Sequence, residues 1–280
     1  MKVLPFKIPK PEQDAFVFQI DNNKLFYNKL HQHEEIQLSL IVEGEGTLVV
    51  GDSINYYCKN DILIIGSNIP HVFKSDLNTS KSSHMISLFF TNDSFGNGFF
   101  KLEELKELQR FFKRSKHGFK VTSKQKQLRE LFLKLEMSSK LNRFIILLQL
   151  LKMTSITNYE SLSSFIYDKK YSDIEGHRMR NVFEYTMNNF EKDISLDAIS
   201  EVANMTKNAF CKYFKKRTNK TYIQFLNQLR VENTCKLIRS EHHLSIADIA
   251  YNSGFNNISN FNRQFKNFKK ISPSIYKKEV

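Results

Sequence analysis

The sequence predicts a multidomain chain of α+β class: an amino-terminal β-barrel with following helices, then an all-α domain in which two helix-turn-helix units are joined by one long helix. Three observations carry this reading. Between residues 15 and 90, short apolar runs alternate with turn formers at a spacing of roughly 8 to 12 residues. From residue 99 onward, apolar positions recur at helical spacing. After residue 176 the positive charge gathers on a segment that occurs twice.

Size and composition bound the answer. The 280 residues suit about two domains of roughly 150 each. With 41% hydrophobic residues, 9 Gly and 5 Pro, the chain is neither disordered nor collagen-like. Cys58, Cys211 and Cys235 form no CxxC pair, so a reducing compartment, the cytoplasm, is expected rather than a disulfide framework. Pro5 and Pro9 interrupt the amino terminus, and no apolar stretch of signal-peptide length follows. The longest apolar run, 144–148, is far short of the roughly 20 residues that span a bilayer.

In the first domain, 1–157, the apolar runs are 16–20, 25–30, 36–42, 47–50, 54–57, 62–65, 72–73 and 85–90. Gly44-Glu45-Gly46, Gly51-Asp52, Lys59-Asn60-Asp61 and Gly66-Ser67-Asn68 divide them. A small barrel made of such strands can hold one ligand. Helices are expected over 102–112, 124–141 and 144–152, with stripes at Leu105, Leu108, Phe111 and Phe112 and at Leu128, Leu131, Phe132 and Leu135. Such stripes serve either as intradomain core or as a dimer seam. Residues 158–175, rich in Ser, Tyr and charge, read as a linker to the domain at 176–280.

Charge separates the halves. Residues 1–175 carry 24 basic and 20 acidic residues, whereas 176–280 carry 18 and 9, most of the formal +13. Two stretches without an acid hold six cations each: Lys207, Lys212, Lys215, Lys216, Arg217 and Lys220 in one, Arg263, Lys266, Lys269, Lys270, Lys277 and Lys278 in the other. A basic run alone reads equally as a solvated helix face, so the polyanion reading needs a scaffold.

A repeat supplies that scaffold. Phe210 and Phe214 follow Thr206, and Phe261 and Phe265 follow Asn257, so each segment has a capping residue four positions before a Phe pair at i, i+4 spacing. The pair faces inward, leaving Lys212 or Arg263 toward the outside. Each is preceded by a short amphipathic segment, Leu196, Ile199, Val202 and Ala203 in one and Ile246, Ile249 and Ala250 in the other, with Asp197 and Asp248 near its start. Helix, tight turn, helix is the outline of a DNA-binding unit, here about 194–217 and 245–268. The helix expected between them, 222–239, spans roughly 27 Å, near the 34 Å or so between successive major grooves on one face of a duplex.

These residues, together with Leu229-Arg230, Ile246-Ala247-Asp248-Ile249-Ala250, Gly254-Phe255 and Ser272-Pro273, resemble the AraC/XylS family of bacterial transcription regulators over about 178–280. The family's usual Gly after each recognition helix is Asn219 and Lys270 here. The resemblance implies base readers at Asn208, Cys211 and Lys212 and at Ile258, Ser259, Asn262 and Arg263. Lys and Arg suit guanine, Asn suits adenine and Ile suits a thymine methyl. Lys207, Lys215, Lys216, Lys266 and Lys269 are the phosphate candidates. Double-stranded DNA, RNA polymerase, a small-molecule effector and a homodimer are the partners that the family implies.

In the first domain, His31-x-His33, Gln37, Gly44, Gly46, Asp61, Pro70 and His71 resemble the two motifs of the cupin barrel. Cupin enzymes place two His, a Glu and a later His on a metal, and the matching positions are His31, His33, Gln37 and His71. Gln is a neutral, weak oxygen donor, so the reading here is an effector-contacting or structural role, with neither metal nor other cofactor expected. The function implied is a sequence-specific regulator controlled by an effector, not an enzyme. A cupin enzyme fused to a DNA-binding unit and a non-specific DNA coat are the alternatives.

Overall fold

The structure, a computed structural model, describes residues 14–76, 82–167 and 173–279. The amino-terminal segment read above for a leader and the middle of the expected linker lie outside these residues. The chain divides into two compact units, Met1–Asp173 and Ile174–Val280.

The first unit contains strands β1 (Val17–Asn23), β2 (Ile36–Glu43), β3 (Gly46–Val50), β4 (Ser53–Tyr57), β5 (Ile62–Ile65), β6 (His71–Ser75), β7 (Ser83–Phe90), β8 (Phe119–Val121) and β9 (Tyr159–Ser161). Its helices are α1 (Gln109–Ser115), α2 (Gln125–Lys134) and α3 (Lys140–Ile156). Antiparallel pairing orders one sheet β1-β7-β2-β5-β8-β9 and a second β4-β3-β6. Among the described residues these sheets do not close into the expected ring. They face each other through side chains, with Ile41, Leu63 and Ile65 of the large sheet meeting Leu48, Val50 and Phe73 of the small one.

The large sheet is also covered on its other face, where Leu38, Leu40, Ile64 and Leu88 pack on Phe111, Phe132, Leu147 and Leu150. A strand buried on both faces loses the polar alternation of a half-exposed one, which explains the unbroken apolar run in β2. Leu108, Phe111, Leu128, Phe132 and Leu135 are therefore intradomain core. Each fully buried Phe contributes about 2–3 kcal/mol.

Several boundaries differ from expectation. The run 25–30 is a loop, not a strand; Phe26 and Leu30 are buried, and Phe26 packs on Tyr57 and Phe73. The helix expected at 102–112 opens as 3-10 turns, Phe99–Lys101 and Glu103–Leu108. The helix expected over 124–141 ends at Lys134, because Ser139 caps a new helix by accepting from the Asn142 N–H. The linker does not begin at 158. β9 pairs with β8, Leu162 and Tyr167 enter the inter-sheet core, and Ser163 and the Ser164 N–H donate to Asp52 at 2.7 and 2.9 Å.

The second unit is helical: α4 (Asp173–Asn189), α5 (Leu196–Val202), α6 (Lys207–Thr218), α7 (Tyr222–Ser240), α8 (Ile246–Asn252), α9 (Ile258–Lys269) and α10 (Pro273–Glu279). Helix α7 serves two cores. Its first turns place Tyr222 and Phe225 among Phe183, Phe210 and Phe214. Later turns place Val231, Cys235 and Ile238 against Ile249, Phe255, Phe261 and Phe265. A capping box starts it, with Thr221 and Gln224 satisfying each other's backbone N–H.

Candidate nucleic-acid interface

Both helix pairs turn by the same device. Helix α5 ends with Asn204 in the left-handed region, φ +51°, and the Met205 N–H donates to the Ser200 carbonyl at 2.9 Å. Helix α8 ends with Gly254 at φ +87°, and the Phe255 N–H donates to the Ala250 carbonyl at 3.0 Å. This six-to-one bond is the Schellman termination, which satisfies an end carbonyl and reverses the chain. Capping residues then start the second helices: Thr206 accepts from Ala209 N–H at 3.4 Å, and Asn257 accepts from Asn260 N–H at 2.9 Å.

The Phe pairs are wholly buried, as their spacing predicts, so the opposite faces are outward. On α6 the exposed row is Lys207, Asn208, Cys211, Lys212, Lys215 and Lys216. On α9 it is Ile258, Ser259, Asn262, Arg263 and Lys266. Both rows follow one i, i+1, i+4, i+5, i+8 pattern, the stripe a helix presents to a groove. Arg263 donates to Asn260 Oδ1 at 2.9 Å, and Lys207 pairs with Asp197 at 2.8 Å.

Lys269 stands apart from these rows. It is partly covered, and its Nζ lies 2.7 Å from both carboxylate oxygens of Glu232 on α7. Burial disfavours its charge, but Glu232 outweighs that and raises the Lys269 pKa. The positions where the family has Gly, Asn219 and Lys270, are both left-handed, at φ +54° and +66°. Lys270 thus keeps the turn geometry despite its side chain.

Two features of this unit are not legible from the repeat. Tyr251 is 72% exposed on α8 although it directly follows buried Ile249 and Ala250. Arg230 on α7 donates its Nε–H to the Phe190 carbonyl and Nη2 to the Lys192 carbonyl, both at 2.8 Å, and stands 5.8 Å from the Phe255 ring centre. It ties the segment after α4 to the turn of the second helix pair. A Leu-Arg dipeptide in a helix carries no hint of that role.

The effector candidates are brought together in the first unit. A cavity of about 490 Å³ between the sheets is lined by His31, His33, Gln37 and His71, with Asp21, Phe73 and Phe89 among its other walls. His31 and His71 bridge through their backbones, at 3.1 and 2.8 Å, which sets their rings 4.2 Å apart. Gln37 Nε2 donates to Ser39 at 2.9 Å, and its Oε1 is 3.4 Å from His33 Nε2. Burial lowers the pKa of His33, and burial with the two neighbouring imidazoles lowers that of His71 well below the usual range, so both rings are neutral at pH 7.

Comparison with known proteins agrees with the helical geometry. Residues 199–279 match the family model of a helix-turn-helix domain, so the second unit belongs to that class of domain. The type is AraC. Over 105 residues the chain is 26% identical to the helix-turn-helix-type transcriptional regulator YdeC of Bacillus subtilis, covering 38% of this chain and 36% of that protein. Over 100 residues it is 29% identical to a helix-turn-helix-type regulator of Pseudoalteromonas carrageenovora, covering 36% of this chain and 58% of the relative. The match thus spans between about a third and three-fifths of these relatives. The crystal structure of ToxT from Vibrio cholerae superposes over 94% of this chain and 97% of its own, at 15% identity and a TM-score of 0.37.

Among the described residues, no helix is long and apolar enough to cross a membrane.

Proposed function

We propose that this chain is a sequence-specific, DNA-binding transcriptional regulator acting in the cytoplasm, whose helices α6 and α9 enter the major groove and whose inter-sheet cavity binds a small-molecule effector. The observation that carries the reading is the doubled outer row of amides and cations, each held by a buried Phe pair within the matched helix-turn-helix stretch. Helix α7, at 19 residues, is about 28 Å long, a spacer suited to two groove entries on one duplex face. Asn208, Cys211 and Lys212 with Ile258, Ser259, Asn262 and Arg263 read base edges. Lys207, Lys215, Lys216 and Lys266 hold phosphates. His31, His33, Gln37 and His71 contact the effector, and RNA polymerase and a second copy of the chain are the partners that the AraC resemblance adds.

The test uses a duplex site selected from a random pool, in gel-shift competition. Arg263→Ala weakens the selected site by about 1–3 kcal/mol and relaxes preference at one base pair, whereas Lys266→Ala weakens selected and random DNA alike. Equal displacement of the intact protein by selected and random duplex rejects sequence-specific regulation.

A further inference from the structure

Strand β1 turns alternate side chains toward the inter-sheet cavity: Gln19, Asp21 and Asn23 line it, whereas Ile20 and Asn22 point away and are exposed. Asp21 is the one carboxylate among the described lining residues, and no lysine or arginine is among them. Its two oxygens accept from Gln19 Nε2 at 2.8 and 2.9 Å, and among the described residues no cation faces it. Burial raises the Asp21 pKa and the Gln19 bond offsets only part of that rise, so the carboxylate is desolvated with nothing to balance its charge.

Strand register separates this carboxylate from the imidazole end of the cavity. Asp21 pairs with Met85 across the sheet, whereas Gln37 pairs with Phe89, which pairs with Val17. Four residues along β1 is about 13 Å. His33 belongs to the Gln37 end, its ring 5.5 Å from that of Phe89. The walls beside Asp21 are apolar: Met85, Phe26 and Phe73 are buried in one cluster, the two phenylalanine rings 5.9 Å apart, and the Phe26 N–H is held by Ser75 Oγ at 3.1 Å. A lone desolvated carboxylate against aromatic walls is the environment that recognises an organic cation.

We propose, resting on the effector reading of the cavity, that its Asp21 end takes the cationic head of an organic ammonium ion, with Asp21 as counter-ion and the apolar stem lying along Phe26, Phe73 and Met85. An ammonium carries three donors, which the two carboxylate oxygens and the side-chain oxygen of Asn23 can accept. An anionic ligand meets an unbalanced negative charge at low dielectric and is repelled, and a neutral one leaves Asp21 as desolvated as before. A cavity of about 490 Å³ suits an elongated organic molecule rather than an inorganic ion. Among the described residues β1 is the edge of its sheet, where an inward charge also discourages pairing with another chain. That role needs no aromatic cavity in front of the carboxylate.

The experiment titrates the full-length protein, without DNA, by isothermal calorimetry with three matched probes: phenylbutylamine, phenylbutanol and phenylbutyrate. The amine binds at least about 10-fold tighter than the alcohol, and the butyrate binds more weakly than the alcohol. Asp21→Asn brings amine and alcohol to within about 3-fold of each other, and its retained alcohol binding shows that the variant is folded. If Asp21→Asn fails to fold, the order amine, alcohol, butyrate in the intact protein decides the matter. Equal affinity for amine and alcohol, or a preference for the amine that survives Asp21→Asn, overturns the proposal and leaves Asp21 as protection of an edge strand. Absence of binding by all three probes up to about 5 mM rejects the effector reading of the cavity and the proposal with it, a failure distinct from a lost order of affinities.

Discussion

The two helix pairs share one backbone plan and distribute charge differently on it. Counted along the chain, each basic stretch holds six cations. On the outward rows the numbers are four, Lys207, Lys212, Lys215 and Lys216, against two, Arg263 and Lys266. Three of the other four cations in the second stretch do other work: Lys269 is paired with Glu232, Lys270 closes its helix, and Lys277 donates to the Leu244 carbonyl at 2.6 Å. In the first pair Arg217 stacks 3.9 Å over Tyr213. On the proposed reading, the repeated sequence pattern conceals a division of labour, in which α6 would supply more of the sequence-independent affinity and α9, with Asn262 and Arg263 beside fewer lysines, a larger share of the base reading.

The largest test of that division is electrostatic. Removing one cation that neutralises a phosphate lowers the slope of log affinity against log salt by about 0.9 on B-form DNA. Replacing Lys207, Lys215 and Lys216 by Ala should reduce the slope by about 2.7, and replacing Lys266 by about 0.9. Equal reductions, read by fluorescence anisotropy across a salt series, would remove the asymmetry.

Next in size is a contrast between the turns. A Cβ on Gly254 would lie 2.6 Å from the Phe190 carbonyl oxygen and 2.9 Å from Arg230 Nε, whereas Asn204 already carries a side chain at the matching place. Gly254→Ala should cost about 3 kcal/mol, from strain and overpacking together, and Asn204→Ala about 1 kcal/mol. Urea unfolding followed by far-ultraviolet circular dichroism reads both, the chain having no Trp. A Gly254→Ala loss no larger than that of Asn204→Ala contradicts the crowding at the second turn.

Periodicity made the outer rows legible in the sequence, because a Phe pair at i, i+4 defines which residues face away. Seven of the eight apolar runs are strands for the same reason, pattern against pattern. What escaped has physical causes. β8 and β9 are three residues each, too short for an alternation to register, and their place is set by Leu63, Ile64 and one another. The apolar run 25–30 is buried as a loop, because burial and strand formation are separate demands. Spacing places His31 and His33 on one side of the chain, yet nothing in it tells that His71 pairs with His31 through the backbone and brings a third ring beside them. Lys269 reads as one more basic residue until Glu232, 37 positions away, is found against it.

Lys269 gives the smallest effect and the finest test. Aligning Thr206 with Asn257 pairs Lys215 with Lys266 and Thr218 with Lys269. Thr218 is buried and donates to the Phe214 carbonyl at 2.9 Å, so this position faces inward in the first pair. Lys269 obeys the same geometry: its stem is partly covered and its ammonium ends on Glu232 rather than beside Lys266. Its charge is already matched inside the domain, so Lys269→Ala should change the salt slope by less than about 0.3, while Lys266→Ala lowers it by about 0.9. The cost of Lys269→Ala falls on stability instead, about 1 kcal/mol for a partly buried pair, and Glu232→Gln should reproduce it. A slope change of about 0.9 for Lys269→Ala would return that residue to the phosphate row and bring α9 closer to α6.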